Sequence, residues 1–103
     1  MVEYERINDW LRWDDLIVNR ASVANQILGA RHDNDMSNPV RIKTLRGERA
    51  VYICGALFVK WRMYDESSAM EAYNRMDALS DSLWLLRRGK AISCGDFNQQ
   101  NCK

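Results

Sequence analysis

The chain has 103 residues, of which 47% are apolar, and a formal net charge of +1. That length suits one hydrophobic core and not two, and so large an apolar share excludes a disordered chain. No apolar run approaches the roughly 20 residues of a spanning helix. The opening "MVEYERINDW" is charged from its third residue and has no apolar h-region, so a cytoplasmic protein with no membrane span and no signal peptide is expected.

In chain order, "EYERINDWLRWDDLIVN" predicts a helix, with Ile7, Trp10, Leu11, Ile17 and Val18 recurring at helical spacing. Trp10 and Trp13 lie about 60° apart on such a helix and fit one wide stripe. The pattern loosens near Asn19, and Ser22 could cap a second short helix, "VANQIL", that stops at Gly29. "ARHDNDMSNP" has no periodicity and ends in the only proline, which predicts a loop.

The period then changes to two. "VRIKTL", "AVYICG" and "LFVKWRMY" predict three strands of an antiparallel meander, with "RGE" as the first hairpin turn. Residues 48–63 also fit a heptad seam through Val51, Cys54, Phe58 and Trp61, but length and β-branched content favour strands. "DESSAMEAYNRMDALSDSLWLLRRGK" predicts a long helix, with a capping box of Ser68 and Glu71, an apolar stripe through Ala69, Ala72, Met76, Leu79, Leu83 and Leu86, and Gly89 as its stop. "AISC" predicts a last short strand. The expected organisation is a single compact α+β domain over residues 1–95 and a polar C-terminal tail over 96–103, with the helices packed on one sheet face.

Cys54, Cys94 and Cys102 are odd in number and unclustered, which argues against a disulfide scaffold. Cys54 is expected as a buried small hydrophobe and the other two near the tail. A Cys94–Cys102 bridge is sterically open but unusual in a reducing compartment.

Charge is unevenly spread. Residues 1–37 sum to −3, residues 41–63 to +5 and residues 65–103 to −1. If the helices cover Ile42, Val51, Ile53, Leu57, Val59, Trp61 and Met63, the open sheet face carries Arg41, Lys43, Tyr52, Phe58, Lys60, Arg62 and Tyr64. Cations interleaved with aromatics suit either a protein partner, since Arg and aromatics anchor interfaces, or a nucleic-acid strand, held by phosphate contacts and stacking. Trp84 falls off the apolar stripe of the long helix and is a further candidate anchor.

The α-β-β-β-α order is similar to that of the double-stranded-RNA-binding domain, but the last helix opens with "DESSAMEA" where that family is Lys-rich, and acids there would repel a phosphate backbone. The stretch "EYERINDWLRW" followed by "RASVANQIL" resembles, over about the first 30 residues, the opening of phage late-gene antitermination proteins of the Q type. That resemblance implies engagement of RNA polymerase.

No phosphate loop, Gly-rich fingerprint, nucleophile elbow or paired-Cys motif occurs. The only histidine, His32, shares a hydrophilic loop with Asp33 and Asp35, and Asp14 and Asp15 point about 100° apart on a helix, too far for a carboxylate pair. The sequence therefore predicts a small binding protein that is not an enzyme and needs no metal or cofactor. Its role would be that of an adaptor or inhibitor occupying a surface of a larger host complex such as transcription or defence machinery, with a phage or mobile-element origin in keeping with its size. The alternative is a nucleic-acid-binding regulator using the same face. Self-association through an apolar helix face is a third outcome.

Overall fold

The computed structural model describes the backbone of residues 2–29, 38–88 and 92–101, and the side chains of 7–29, 38–88 and 92–98. The expected loop is thus described only at Asn38 and Pro39, so His32, Asp33 and Asp35 fall outside the described residues, as do Gly89 and Cys102. Helix α1 spans Val2–Gly29 without a break. The interruption expected near Asn19 and Ser22 does not occur, because Ile17, Ala21, Ala24 and Leu28 are buried at intervals of four, three and four. Core contact on one stripe therefore carries the helix past Ser22, which is exposed.

Three strands follow: β1 (Val40–Leu45), β2 (Glu48–Ile53) and β3 (Ala56–Arg62), antiparallel and in sequence order. Residues 48–62 are thus strands and not a heptad helix. Both hairpins close through two-residue turns with positive φ at each central position, Arg46–Gly47 (54° and 79°) and Cys54–Gly55 (52° and 92°). These are type I′ turns, whose twist matches that of the flanking strands. Glycine meets the second position at no steric cost, whereas Arg46 and Cys54 hold the left-handed region with a side chain.

The β2–β3 register contains an irregularity that decides the outer face. Tyr52 pairs with Leu57 but Val51 pairs with Val59, so Phe58 is an extra residue, a β-bulge. On the turn side of the bulge, Leu57 shares the face of Tyr52; beyond it, Val59 and Trp61 are buried. The alternation expected across "LFVKWRMY" therefore slips by one at Phe58, and Leu57 faces out instead of in.

Helix α2 spans Glu66–Arg87. Its N-cap is Asp65, whose carboxylate accepts from the Ser68 backbone N–H at 3.5 Å. The expected Ser68–Glu71 capping box does not form; the Ser68 hydroxyl instead accepts from the Arg62 N–H at 3.0 Å and ties the end of β3 to the first turn of the helix. The helix ends one step before Gly89, with Arg88 in the left-handed conformation (φ 43°) donating its N–H to the Trp84 carbonyl. The stripe reads as expected: Ala69, Ala72, Met76, Leu79 and Leu83 are buried and Leu86 is half-buried.

The C-terminal segment differs from expectation. Ile92 and Ser93 are not in a strand, and a third helix, α3, spans Cys94–Asn101. Ser93 and Asp96 cap it reciprocally: the Ser93 hydroxyl accepts from the Asp96 N–H at 3.1 Å, and the Asp96 carboxylate accepts from the Ser93 N–H at 3.2 Å. Ile92 and Phe97 are buried in the common core, and residues 96–101, expected in a polar tail, lie in α3. Cys54 and Cys94, 40 residues apart, form a disulfide with Cα atoms 5.5 Å apart. This corrects the expectation of a free, buried Cys54: the I′ turn puts it against the first residue of α3. Disulfides persist in oxidising compartments, a fact that bears on the cytoplasmic placement expected above. No helix among the described residues is long and apolar enough to cross a membrane.

The helices share one side of the sheet. α1 packs on α2 and β1, and α2 on β3. Trp10, Ile17, Leu28, Val51, Ile53, Trp61, Met76 and Leu83 form the middle of one core. Among the described residues, no helix lies on the other side of the sheet.

Candidate docking face on the open side of the sheet

The paired register lays out the open face as three cross-strand rows: Arg41–Tyr52–Leu57, Lys43–Ala50–Lys60, and Leu45–Glu48–Arg62. Same-face neighbours lie about 7 Å apart along a strand and about 5 Å apart across strands. Four cations, one acid and four apolar or aromatic residues thus share one patch. Leu45 is 70% exposed and Leu57 is 50% exposed.

The cations are not equivalent. Arg62 forms an ion pair with Asp65 at 2.9 Å, and that guanidinium's hydrogen bond is the main cause holding the Asp65 carboxyl below its usual value. Arg41, Lys43 and Lys60 make no ion pair among the described residues. The Lys43 ammonium sits 5.0 Å from the centre of the Tyr52 ring, covering it with a cation–π contact.

Of the candidates read from sequence, the structure brings Arg41, Lys43, Tyr52, Lys60 and Arg62 together on this face. Phe58 leaves it. The bulge turns that ring to the α2 side, where the Arg75 guanidinium lies 4.9 Å from its centre. Tyr64 also leaves it: with φ at 63° it folds back onto Trp10 of α1, their ring centres 4.9 Å apart. Trp84 is 53% exposed on α2, beneath Arg87 (5.2 Å), and α2 lies across the sheet from the patch. The expected single surface is therefore a compact basic face plus one separate exposed tryptophan.

Arg49, one of the six cations in the basic stretch, points the opposite way. It pairs with Asp14 of α1, which is 5% exposed, and the other Asp14 oxygen accepts from the Trp61 indole N–H at 3.1 Å. A buried carboxylate satisfied by an arginine and an indole thus fastens β2 and β3 to α1. The sequence carried a signal for it. Trp10, Asp14, Ile17, Ala21, Ala24 and Leu28 recur at four- and three-residue steps, so Asp14 lies inside the buried stripe, where a carboxylate needs partners.

A second seam joins α1 to α2 by polar contacts. The Trp13 indole donates to Glu66 at 3.3 Å, and Arg20 donates to the Tyr73 hydroxyl at 3.3 Å and pairs with Asp77 at 3.0 Å. Among the described residues no group of three or more His, Cys, Asp or Glu side chains could hold a metal ion. Compared with family models, curated proteins and solved structures, the chain matches none of them. The functional reading rests on geometry and charge alone.

Proposed function

We propose that this chain is a small non-enzymatic binding protein that docks an acidic surface of a partner protein through the open face of its sheet. The observation that carries the reading is the composition of that face: Arg41, Lys43 and Lys60 with no ion pair among the described residues, set among exposed Leu45 and Leu57. Exposed leucines beside uncompensated cations suit a partner that offers carboxylates around an apolar centre. A single nucleic-acid strand would want free aromatic rings for its bases. Phe58 and Tyr64 are turned away and Tyr52 lies beneath Lys43, which disfavours that use.

The patch measures on the order of 300 Å² in plan from strand spacing and rise. That is below the roughly 800 Å² per partner of a standard interface, so the contact is of the transient kind, with micromolar affinity and a marked salt dependence. Occupying an acidic surface on a larger host assembly in this way is how an adaptor or inhibitor would act.

The test is fluorescence anisotropy of the protein with a labelled peptide of alternating glutamate and leucine, and with labelled single- and double-stranded DNA and RNA, at two salt concentrations. Binding of the peptide alone, lost in Lys43→Glu/Lys60→Glu, supports the reading. Micromolar binding of any nucleic acid, lost in the same variant, would replace it with a nucleic-acid regulator.

A further inference from the structure

At the β3 edge of the sheet, three depressions of about 420, 590 and 320 Å³ adjoin one another along the seam of β3, α2 and α3, the third also bordered by Lys60 of the open face. Phe58 and Arg75 line all three. Leu79, Leu83, Leu86 and Phe97 make up most of the apolar lining of the first. Volumes of this size are those of small-molecule sites, which combine an apolar lining with a few fixed polar groups.

The fixed polar group is Arg75. Its guanidinium is held against the Phe58 ring by a cation–π contact at 4.9 Å, which orients it without using its N–H donors. It makes no ion pair among the described residues. Glu71, one turn earlier on α2, borders the third depression with it, but the two are not paired. An oriented arginine whose donors pair with nothing among the described residues, at the rim of a groove with aliphatic and aromatic lining, complements a carboxylate attached to an apolar body.

Two sequence features build this groove. The bulge in β3 places Phe58 on the α2 side, and the Cys54–Cys94 disulfide fixes the start of α3 so that Phe97 forms the far wall. The same bulge sets Leu57 on the open sheet face, and Leu57 and Lys60 border the third depression, so groove and open face meet along the edge strand β3.

We infer that the groove between β3, α2 and α3 is a binding site for a small amphiphilic carboxylate, its charged end on Arg75 and its apolar body against the half-buried Phe58 and Leu86. The occupant is a medium-length acyl or aryl carboxylate.

Isothermal titration of the disulfide-intact protein with decanoate and with decan-1-ol, both below their aggregation thresholds, tests this directly. One decanoate should bind per chain, at least about tenfold more tightly than the alcohol, the margin of a charge-assisted hydrogen bond. Arg75→Gln, a change at an exposed position, should erase that preference. Ser82→Trp, which places a large side chain from exposed Ser82 into the first depression, should abolish binding of both. Equal affinities for acid and alcohol, a preference that survives Arg75→Gln, several ligands per chain, binding that survives Ser82→Trp, or no binding at all would each overturn the assignment.

Discussion

Replacing Asp14 with leucine removes the one acceptor shared by Arg49 and the Trp61 indole. Breaking a buried ion pair from one side costs about 3–5 kcal/mol, because the remaining charge is stranded. The Arg49 side chain keeps 22% of its surface, so water relieves part of that charge and the lower end, about 3 kcal/mol, applies. The Trp61 N–H, left unpaired in the core, adds about 1 kcal/mol or more. A loss of about 4 kcal/mol corresponds to a drop in Tm of roughly 15–25 °C for a domain of this size.

Asp14→Leu/Arg49→Met removes both charges and should recover about 2 kcal/mol relative to the single variant. Urea denaturation followed by tryptophan fluorescence and by circular dichroism, for wild type, both single variants and the double, measures the coupling. An Asp14→Leu loss below about 1 kcal/mol, or a double variant as unstable as the two singles combined, would refute the network's role.

Lys43→Glu/Lys60→Glu alters exposed side chains only, so Tm should stay within about 2–4 °C of wild type, as for surface changes of roughly 0.5 kcal/mol, while partner binding is lost; a large Tm change would mean that the face is structural. Cys54→Ser/Cys94→Ser opens a loop of 40 residues and should destabilise by up to about 4 kcal/mol on the loop-entropy scale. Adding reductant to the wild type should reproduce that loss, and identical denaturation curves with and without reductant would contradict the pairing. Because the folded-state pKa of Asp65 is depressed, chiefly by its hydrogen bond with Arg62, its stabilising contribution is full above the ordinary aspartate pKa and is lost as pH falls through the depressed value. Arg62→Gln should move the Asp65 titration upward when followed by carboxyl-carbon NMR, and an unchanged midpoint would remove Arg62 as the cause.

Much of the fold was legible because local rules and burial agreed. Period-two runs separated by Gly47 and Gly55 gave the meander, and the stripe from Ala69 to Leu83 gave α2. Reading failed where one residue carried information that only pairing reveals. Nothing in "LFVKWRMY" marks Phe58 as a bulge, since the alternation looks continuous in one dimension, yet that residue decides which side chains share the open face. Helix α3 was hidden by its polar composition, although Ser93 and Asp96 have capping-box spacing and Phe97 supplies an anchor. The disulfide was illegible because its partners are distant in sequence and their apposition depends on α3 existing. As for the face, its cations were readable from charge distribution and Leu45 from the alternation of "VRIKTL", but Leu57 and the inward turn of Arg49 followed only from register and from Asp14.

The central claim is that the open sheet face meets an acidic protein. A photo-crosslinking amino acid at exposed Leu57, at the β3 corner of that face, tests it in cells of the source organism, with the same group at exposed Ser22 of α1 as control. The account predicts a protein adduct from position 57 only, rich in Asp and Glu at the crosslinked site and lost when Lys43→Glu/Lys60→Glu is added. A nucleic-acid adduct, or a protein adduct indifferent to the charge reversal, would contradict it.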